Sequence, residues 1–329
     1  TVGTFWPSLM AIIALGFTDY ADMYTMFAAF SGYLPMLMLF SMILCGAIGE
    51  CGLTQYIGRW FLTRKIINGR PSVFSFWIMT TFFVVSAFVD PLMALLVLWP
   101  TLYVILDVVG YDKNDRYARI LIMATFLAVT LGQCTLPFFG GQLIILGSFQ
   151  AASGIPTNYG LYILFNILTS LVIFLAVTLL IKFILRPDMS KMANISIEQI
   201  NQNPLPPMNK QQKVYISGAI AFLIYAIAPS FLPEHWAIVQ IINDLNLVGF
   251  TMLVIVVLAI IKVDGKPVLP YKEAISAVPF STLLFMGALL ELGTALANGD
   301  IGVSTWLGDT IGVFCTGVSP FMFIVVLAA

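Results

Sequence analysis

A carboxylate stands inside an apolar run at Asp90, in Ser86-Ala87-Phe88-Val89-Asp90-Pro91. Placing a charge at membrane depth costs about 2.5–3.5 kcal/mol even on a lenient insertion scale, so such residues mark places where ions or protons are handled. The chemistry open to Asp90 is binding a coupling cation or carrying a proton. Ser86 precedes it by one turn, and its hydroxyl could share a cation; a lone serine as readily bonds its own backbone. Asp90 also has an ordinary structural role, because Asp-Pro is an N-cap followed by a first helical residue. The two roles are compatible, since a capped half-helix still presents its N-terminus to a cavity.

A second set of residues interrupts the next apolar run. Gly132-Gln133-Cys134-Thr135-Leu136-Pro137 and Gly140-Gly141-Gln142 place glycines, a proline and neutral polar side chains where a continuous helix would otherwise run. Free N–H groups at the start of a half-helix attract anions, and free carbonyls hold Na⁺. Gln133, Thr135, Gly140, Gly141 and Gln142 are therefore the candidate ligands for an anionic solute. The alternative is a structural kink whose freed groups are satisfied by neighbouring helices. Glu291, well inside the run 280–297, is either a third proton or cation site or a helix-pairing carboxylate.

The elements that must position these residues are membrane spans. The chain has 329 residues, 60% hydrophobic and 9% charged, a composition that excludes an ordinary soluble domain. No basic face with interleaved aromatics suggests nucleic-acid binding. Cys45, Cys51, Cys134 and Cys315 have no metal spacing and read as small apolar fillers. The single histidine, His235, falls in a short polar loop, and Glu50 falls at a predicted membrane edge. No hydrolase triad, phosphate loop or metal cluster is present, so an enzyme is not expected. Apolar segments fall at 4–17, 33–49, 71–88 with 92–108, 117–149, 159–185, 214–231, 246–262 and 280–297, with an incomplete one at 313–329.

The fifteen Lys and Arg sort the loops. They lie in or beside 54–70, 107–119, 186–213 and 262–273. The other loops, around Asp19 and Asp22, 150–158, Glu234 to Asp244 and Asp300 to Asp309, carry none. The positive-inside rule makes the first set cytoplasmic, including 186–213. Both flanks of 71–106 are then cytoplasmic, and its turn holds Asp90 and no other charge. A re-entrant hairpin with its tip near the bilayer midplane fits this better than two full spans. The run 117–149 crosses once but is about 33 residues long, and the break explains the excess over the roughly 20 that a span needs. Thr54 to Ile67 alternates apolar residues with Arg59, Arg64 and Lys65, as a helix in the cytoplasmic interface does.

Gly52-Leu53-Thr54-Gln55-Tyr56-Ile57-Gly58 is similar, position by position, to Gly302-Val303-Ser304-Thr305-Trp306-Leu307-Gly308, at an offset of 250. The two copies fall on opposite sides by the charge sorting, which is the pattern of an inverted-topology repeat. The expected organisation is a first repeat at 1–187, with hairpin 71–106 and broken helix 117–149, a cytoplasmic linker at 188–213, and a second repeat at 214–329. The counterpart of Asp90 would fall beyond Ala329. The repeat logic thus predicts that an N-terminal helix and roughly 100 or more C-terminal residues, with the other half of the site, lie outside the chain.

At these residues the chain resembles the ion transporter superfamily, and within it the divalent anion:sodium symporter family of dicarboxylate and sulfate permeases. The likeness covers essentially the whole order of elements. Ser86-Ala87-Phe88-Val89-Asp90, followed by Pro100, resembles the superfamily's hairpin. Leu131-Gly132-Gln133 through Gly141-Gln142-Leu143-Ile144 resembles its helix break. The symporters' Ser-Asn-Thr would sit at Asp90-Pro91-Leu92, and their Pro-Pro-Asn is replaced by Gly140-Gly141-Gln142, so the family's sodium and carboxylate ligands do not carry over. The resemblance implies a homodimer in which a scaffold holds a moving transport domain that carries both hairpins.

The expected protein is an all-α polytopic membrane protein of inverted repeats with a re-entrant hairpin and a broken transmembrane helix, embedded in the cell membrane. The expected function is secondary active transport of a small di- or other carboxylate-type anion by an elevator-like alternating-access mechanism. Na⁺ or H⁺ is the coupling ion, and no cofactor or resident metal is expected. A cation/proton or oxyanion antiporter of the same superfamily is the alternative, and a non-transporting receptor or scaffold is a third. The charge sorting makes a direct prediction. In a cysteine-free background of the full-length protein, Asn114→Cys and Pro156→Cys should react with a membrane-impermeant maleimide from opposite faces of the membrane. Labelling of both from one face would overturn the assignment.

Overall fold

The computed structural model describes residues 3, 5–28, 31–62, 69–138, 141–193, 207–233, 235–276, 278, 280–315, 319 and 322. The helices are α1 (Phe5–Gly16), α2 (Met23–Ala28), α3 (Tyr33–Glu50), α4 (Leu53–Leu62), α5 (Pro71–Ser86), α6 (Pro91–Val109), α7 (Arg116–Thr135) and α8 (Gly141–Ser153). They continue with α9 (Tyr159–Leu180), α10 (Ser190–Ala193), α11 (Lys210–Ile227), α12 (Ala237–Ile260), α13 (Tyr271–Ser276), α14 (Phe280–Ala297) and α15 (Val303–Cys315). Among the described residues, seven helical runs are long and apolar enough to cross a membrane. Helix α9 shows why a bilayer is their solvent. Leu161, Leu164, Phe165, Leu168, Val172, Leu175 and Leu179 form an exposed stripe along it, while Phe174 and Thr178 face inward. Such a stripe is tolerable only against lipid or a partner.

The chain forms two compact units. The smaller comprises 1–35, 143–156 and 280–329, the larger 36–142 and 157–279. These units cut the chain differently from the repeat division, which concerns internal symmetry rather than compactness. In the smaller unit, Ile12 and Met26 pack on Ala288 of α14. The larger unit holds the main core, where Phe74, Ile78 and Phe82 of α5 meet Leu98 and Leu102 of α6, Leu121 and Ala128 of α7, and Phe174 of α9. Polar bonds pin the same helices together. Ser75 Oγ lies 2.8 Å from Tyr117 Oη, and Trp99 Nε1 donates to Thr125 Oγ1 at 3.1 Å.

The two interruptions fall where the sequence puts them. Helix α5 has 16 residues and α6 has 19, about 24 and 28 Å at 1.5 Å per residue. Helices α7 and α8 are separate, with Leu136 extended. Gly52 and Gly302, the paired glycines of the repeat, both adopt positive φ (72° and 76°) immediately before a helix. Loops of one charge class bond to one another in the larger unit. Tyr111 Oη donates to the Asp188 carbonyl at 3.0 Å, Gln212 Nε2 to the Cys51 carbonyl at 3.2 Å, and Tyr215 Oη to the Val268 carbonyl at 2.7 Å. In the other class, Ser230 Oγ bonds Asn158 Oδ1 at 2.6 Å.

Several boundaries differ from expectation. The apolar segment read as 246–262 belongs to a helix that begins at Ala237 and kinks at Asn246, whose φ is 50°. Gln240, Asn243 and Asp244 lower the local hydropathy and hide the first part. Asn246 caps the second part, its Oδ1 accepting from Gly249 N at 3.1 Å. The stretch 262–273, read as a plain turn, contains a two-stranded ribbon, Lys262–Val263 paired with Lys266–Pro267. Its Asp264-Gly265 corner, with φ of 51° and 80°, is the hairpin turn that an Asp-Gly pair favours. The helix of the apolar segment read as 214–231 starts at Lys210, because Asn209 and Gln212 form a capping box. Residues 63–67 of the expected interfacial helix, 194–206 of the linker and most of 313–329 lie outside the described residues.

The linker's first residues are docked. Lys191 Nζ pairs with Asp115 at 3.1 Å, donates to the Gly110 carbonyl at 2.7 Å, and sits 4.9 Å from the centre of the Tyr111 ring. The Lys191 ammonium, then the Asp112 amide, hold the Asp115 carboxyl below its ordinary range. Its folded pKa is lower than its unfolded one, so the contact stabilises above the unfolded pKa and is lost as pH falls through the folded one. Asp115→Asn should therefore lower the thermal midpoint slightly at pH 7, with the difference vanishing as pH drops below about 4. A difference that grows on acidification would contradict this.

Candidate functional site

The two interruptions meet in the larger unit. Helix α5 ends in a tight turn, with Ala87 N donating to Phe83 O at 3.0 Å and Phe88 N to Val85 O at 3.1 Å. Asp90 then starts α6. Its carboxylate accepts from Leu92 N at 2.9 Å, and Pro91 fills the first helical position. Asp90 is exposed, and Ser86 is fully buried with its hydroxyl donating to the Phe83 carbonyl at 3.1 Å. The serine thus makes the local backbone bond, and Asp90 is a working helix cap with one carboxylate face open.

Gly132 lies directly against this turn. A Cβ built there would overlap both Ser86 Oγ and the Phe83 carbonyl. The glycine is what lets the C-terminal turn of α7 touch the end of α5, and it joins the two breaks into one place. Phe88 from the first break and Leu136 and Phe138 from the second share a small cavity with Ser41, Leu44 and Cys45 of α3. About 10 Å³ of it admits a water-sized sphere, the lower limit for one water molecule. Phe138 is fully buried and sets its ring edge-on to Phe222, 4.9 Å between centres.

Side chains close part of the second break among the described residues. Tyr162 Oη donates to the Cys134 carbonyl at 2.9 Å, closing one of the last carbonyls of α7. Thr135 Oγ1 bonds back to the Leu131 carbonyl at 3.0 Å. Gln142, in the first turn of α8, donates from Nε2 to Cys134 Sγ at 3.1 Å. Its Oε1 is buried and has no partner among the described residues, and the same holds for Ser41 Oγ. A buried acceptor left unmade costs about 1–3 kcal/mol, so each such atom asks for a donor or a cation.

Of the residues singled out by sequence, Ser86, Asp90, Gln133, Thr135 and Gln142 thus fall in one unit, with Ser86 and Gly132 in contact. Gly141 is exposed at the start of α8. Gly140 lies outside the described residues. Glu291 is half-buried on α14 in the smaller unit. Sequence reasoning missed Tyr162 and Ser41. A serine inside the apolar run 33–49 is a visible signal for the second. Nothing local marks Tyr162, whose partner lies 28 residues away.

A family model described as citrate transporter matches residues 2–329. The chain belongs to the citrate transporter family. Comparison with individual curated proteins gave no match. The citrate transporter family is one of transporters rather than enzymes, in agreement with the lack of any catalytic constellation in the sequence. Membership also makes this a multi-pass membrane protein that handles a small anionic solute. In this family member the contact that can be tested most directly is Gly132 against α5. Gly132→Ala should cost about 1–3 kcal/mol by overpacking, seen as a lower melting temperature in detergent. Ser86→Ala in the same chain should restore only part of the loss, because the Phe83 carbonyl still blocks the methyl. Unchanged stability in Gly132→Ala would show that the helices do not approach this closely.

Proposed function

We propose that this protein is a secondary transporter of citrate-type anions, coupled to Na⁺ or H⁺, with its substrate at the junction of the two breaks. The observation that carries the reading is the match to the citrate transporter family along the whole chain. The substrate's carboxylates meet the N–H groups of Gly141 and Gln142 at the start of α8 and the side-chain amides of Gln133 and Gln142. Helix N-termini suit carboxylates because their N–H groups are unpaired and carry partial positive charge. The cation binds at the open face of Asp90, with Glu291 as a second acidic site in the apolar runs.

Electrostatics supports coupling to a cation. All fifteen Lys and Arg lie in or beside loops, and the apolar runs contribute the acidic Asp90 and Glu291. A multiply charged anion entering such a region needs positive charge that the spans do not supply. The elevator-like mechanism, the homodimer and the relationship to divalent anion:sodium symporters belong to the same proposal. It is supported by a hairpin, α5 with α6, that shares one core with α7 and so suits movement as a body. The inverted repeat is supported by the like conformations of Gly52 and Gly302. Cytoplasmic placement of the basic loops is supported by the hydrogen bonds that join loops of that set.

The test is uptake of labelled citrate by the full-length protein in proteoliposomes under separate Na⁺ and proton gradients. One gradient should drive uptake above the undriven level. Asp90→Asn should change the ion dependence, and Gln142→Ala should raise the KM for citrate about tenfold or more. Absence of citrate flux under every gradient would sink the proposal. Ion dependence unmoved in Asp90→Asn would remove that residue from the cation site.

A further inference from the structure

Beside the first break, the larger unit contains a cavity of about 440 Å³. Tyr56 and Trp60 of α4, Phe88 of the hairpin turn, and Ile216, Ala219 and Leu223 of α11 are among its walls, and the described residues that line it include no charged one. Ile220 and Leu223 continue into a second apolar groove of about 390 Å³ that follows α11 to Ala228. A concave surface of this kind, in a chain that crosses membranes, takes up hydrocarbon rather than water or a polar solute.

The charge at one end of this surface is positive. On α11 the lining stripe Ile216, Ile220, Leu223 extends back by one turn to Lys213, which is exposed. Among the described residues the ion pair found is Lys191 with Asp115, which leaves Lys213 unpaired. Helix α4 carries Arg59 and no acidic residue, and Arg70 precedes α5. Tyr56 and Trp60 are of the type that gathers at the headgroup level. Apolar pockets with basic residues at one end, beside the cytoplasmic ends of spans, suit anionic lipid.

We infer that this cavity is a binding site for an anionic phospholipid, whose acyl chain fills the space between α4 and α11 and whose headgroup meets Lys213. Because Phe88 is part of the wall, the lipid braces the turn that carries Asp90.

The experiment is native mass spectrometry on full-length protein, delipidated in detergent and incubated with equal amounts of phosphatidylglycerol and phosphatidylcholine. Wild type should retain phosphatidylglycerol in preference. Lys213→Glu, on the surface and outside the proposed transport site, should lower that retention several-fold and leave phosphatidylcholine unchanged. Ala219→Phe should fill the cavity and abolish the retained lipid at an unchanged melting temperature. If it fails to fold, the Lys213→Glu comparison decides alone. Equal retention of both lipids by wild type, as expected for a merely annular coat, would overturn the assignment. So would phosphatidylglycerol retention unmoved by Lys213→Glu.

Discussion

Hydrocarbon offers no hydrogen bonds, so whenever a membrane helix stops and restarts, the protein itself must close the freed N–H and C=O groups. Three interruptions here are closed in three ways. Asp90 caps α6 with its own carboxylate. The end of α7 borrows the Tyr162 hydroxyl from α9. At Asn246 the side chain caps the restarted helix, while Tyr225, stacked on Phe250 at 3.9 Å, donates to the Ile242 carbonyl left behind at 2.8 Å. Among the described residues, the break at Gln142 is the one whose first turn keeps a buried, unpartnered oxygen, Gln142 Oε1, an acceptor that a hydroxyl donor or a cation would satisfy.

Much of this was legible in the sequence because prolines, glycines and lone charges are conspicuous against apolar runs. The breaks at Asp90 and at Gly132 to Gln142, the extent of α14 and the grouping of the basic loops could all be read from composition and charge. The kink at Asn246 could not, because hydropathy averages over polar residues such as Asn243 and Asp244 and an asparagine gives no warning of a positive φ. The ribbon at 262–267 was readable in principle from Asp264-Gly265 but was masked by its brevity. Long-range closures such as Tyr162 to Cys134 are set by packing, and spacing along the chain carries no trace of them. Of the site itself, residue types were visible, but the contact of Gly132 with the end of α5, which gathers them, emerges only in three dimensions.

The same division explains why Ser86 and Asp90 part company. Both lie near one turn, yet Ser86 is sealed inside and bonded to its own helix, while Asp90 keeps an open face. Burial decides which of two neighbouring oxygens can meet a mobile ion. A hydroxyl already committed to Phe83 O gains little by exchanging it, whereas a carboxylate has lone pairs to spare beyond the one that caps Leu92 N.

Trp77 ties α5 to α4. Its indole N–H donates to the Phe61 carbonyl at 2.6 Å, and the two rings lie 5.6 Å apart. Helix α4 is amphipathic, and an amphipathic helix that lies at a bilayer surface has its depth set by the headgroup region. If the hairpin travels along the membrane normal, α4 must either give up this bond or be pulled from its preferred depth. Bilayer thickness then becomes a mechanical load on the transport cycle, each ångström of mismatch adding a fraction of a kcal/mol.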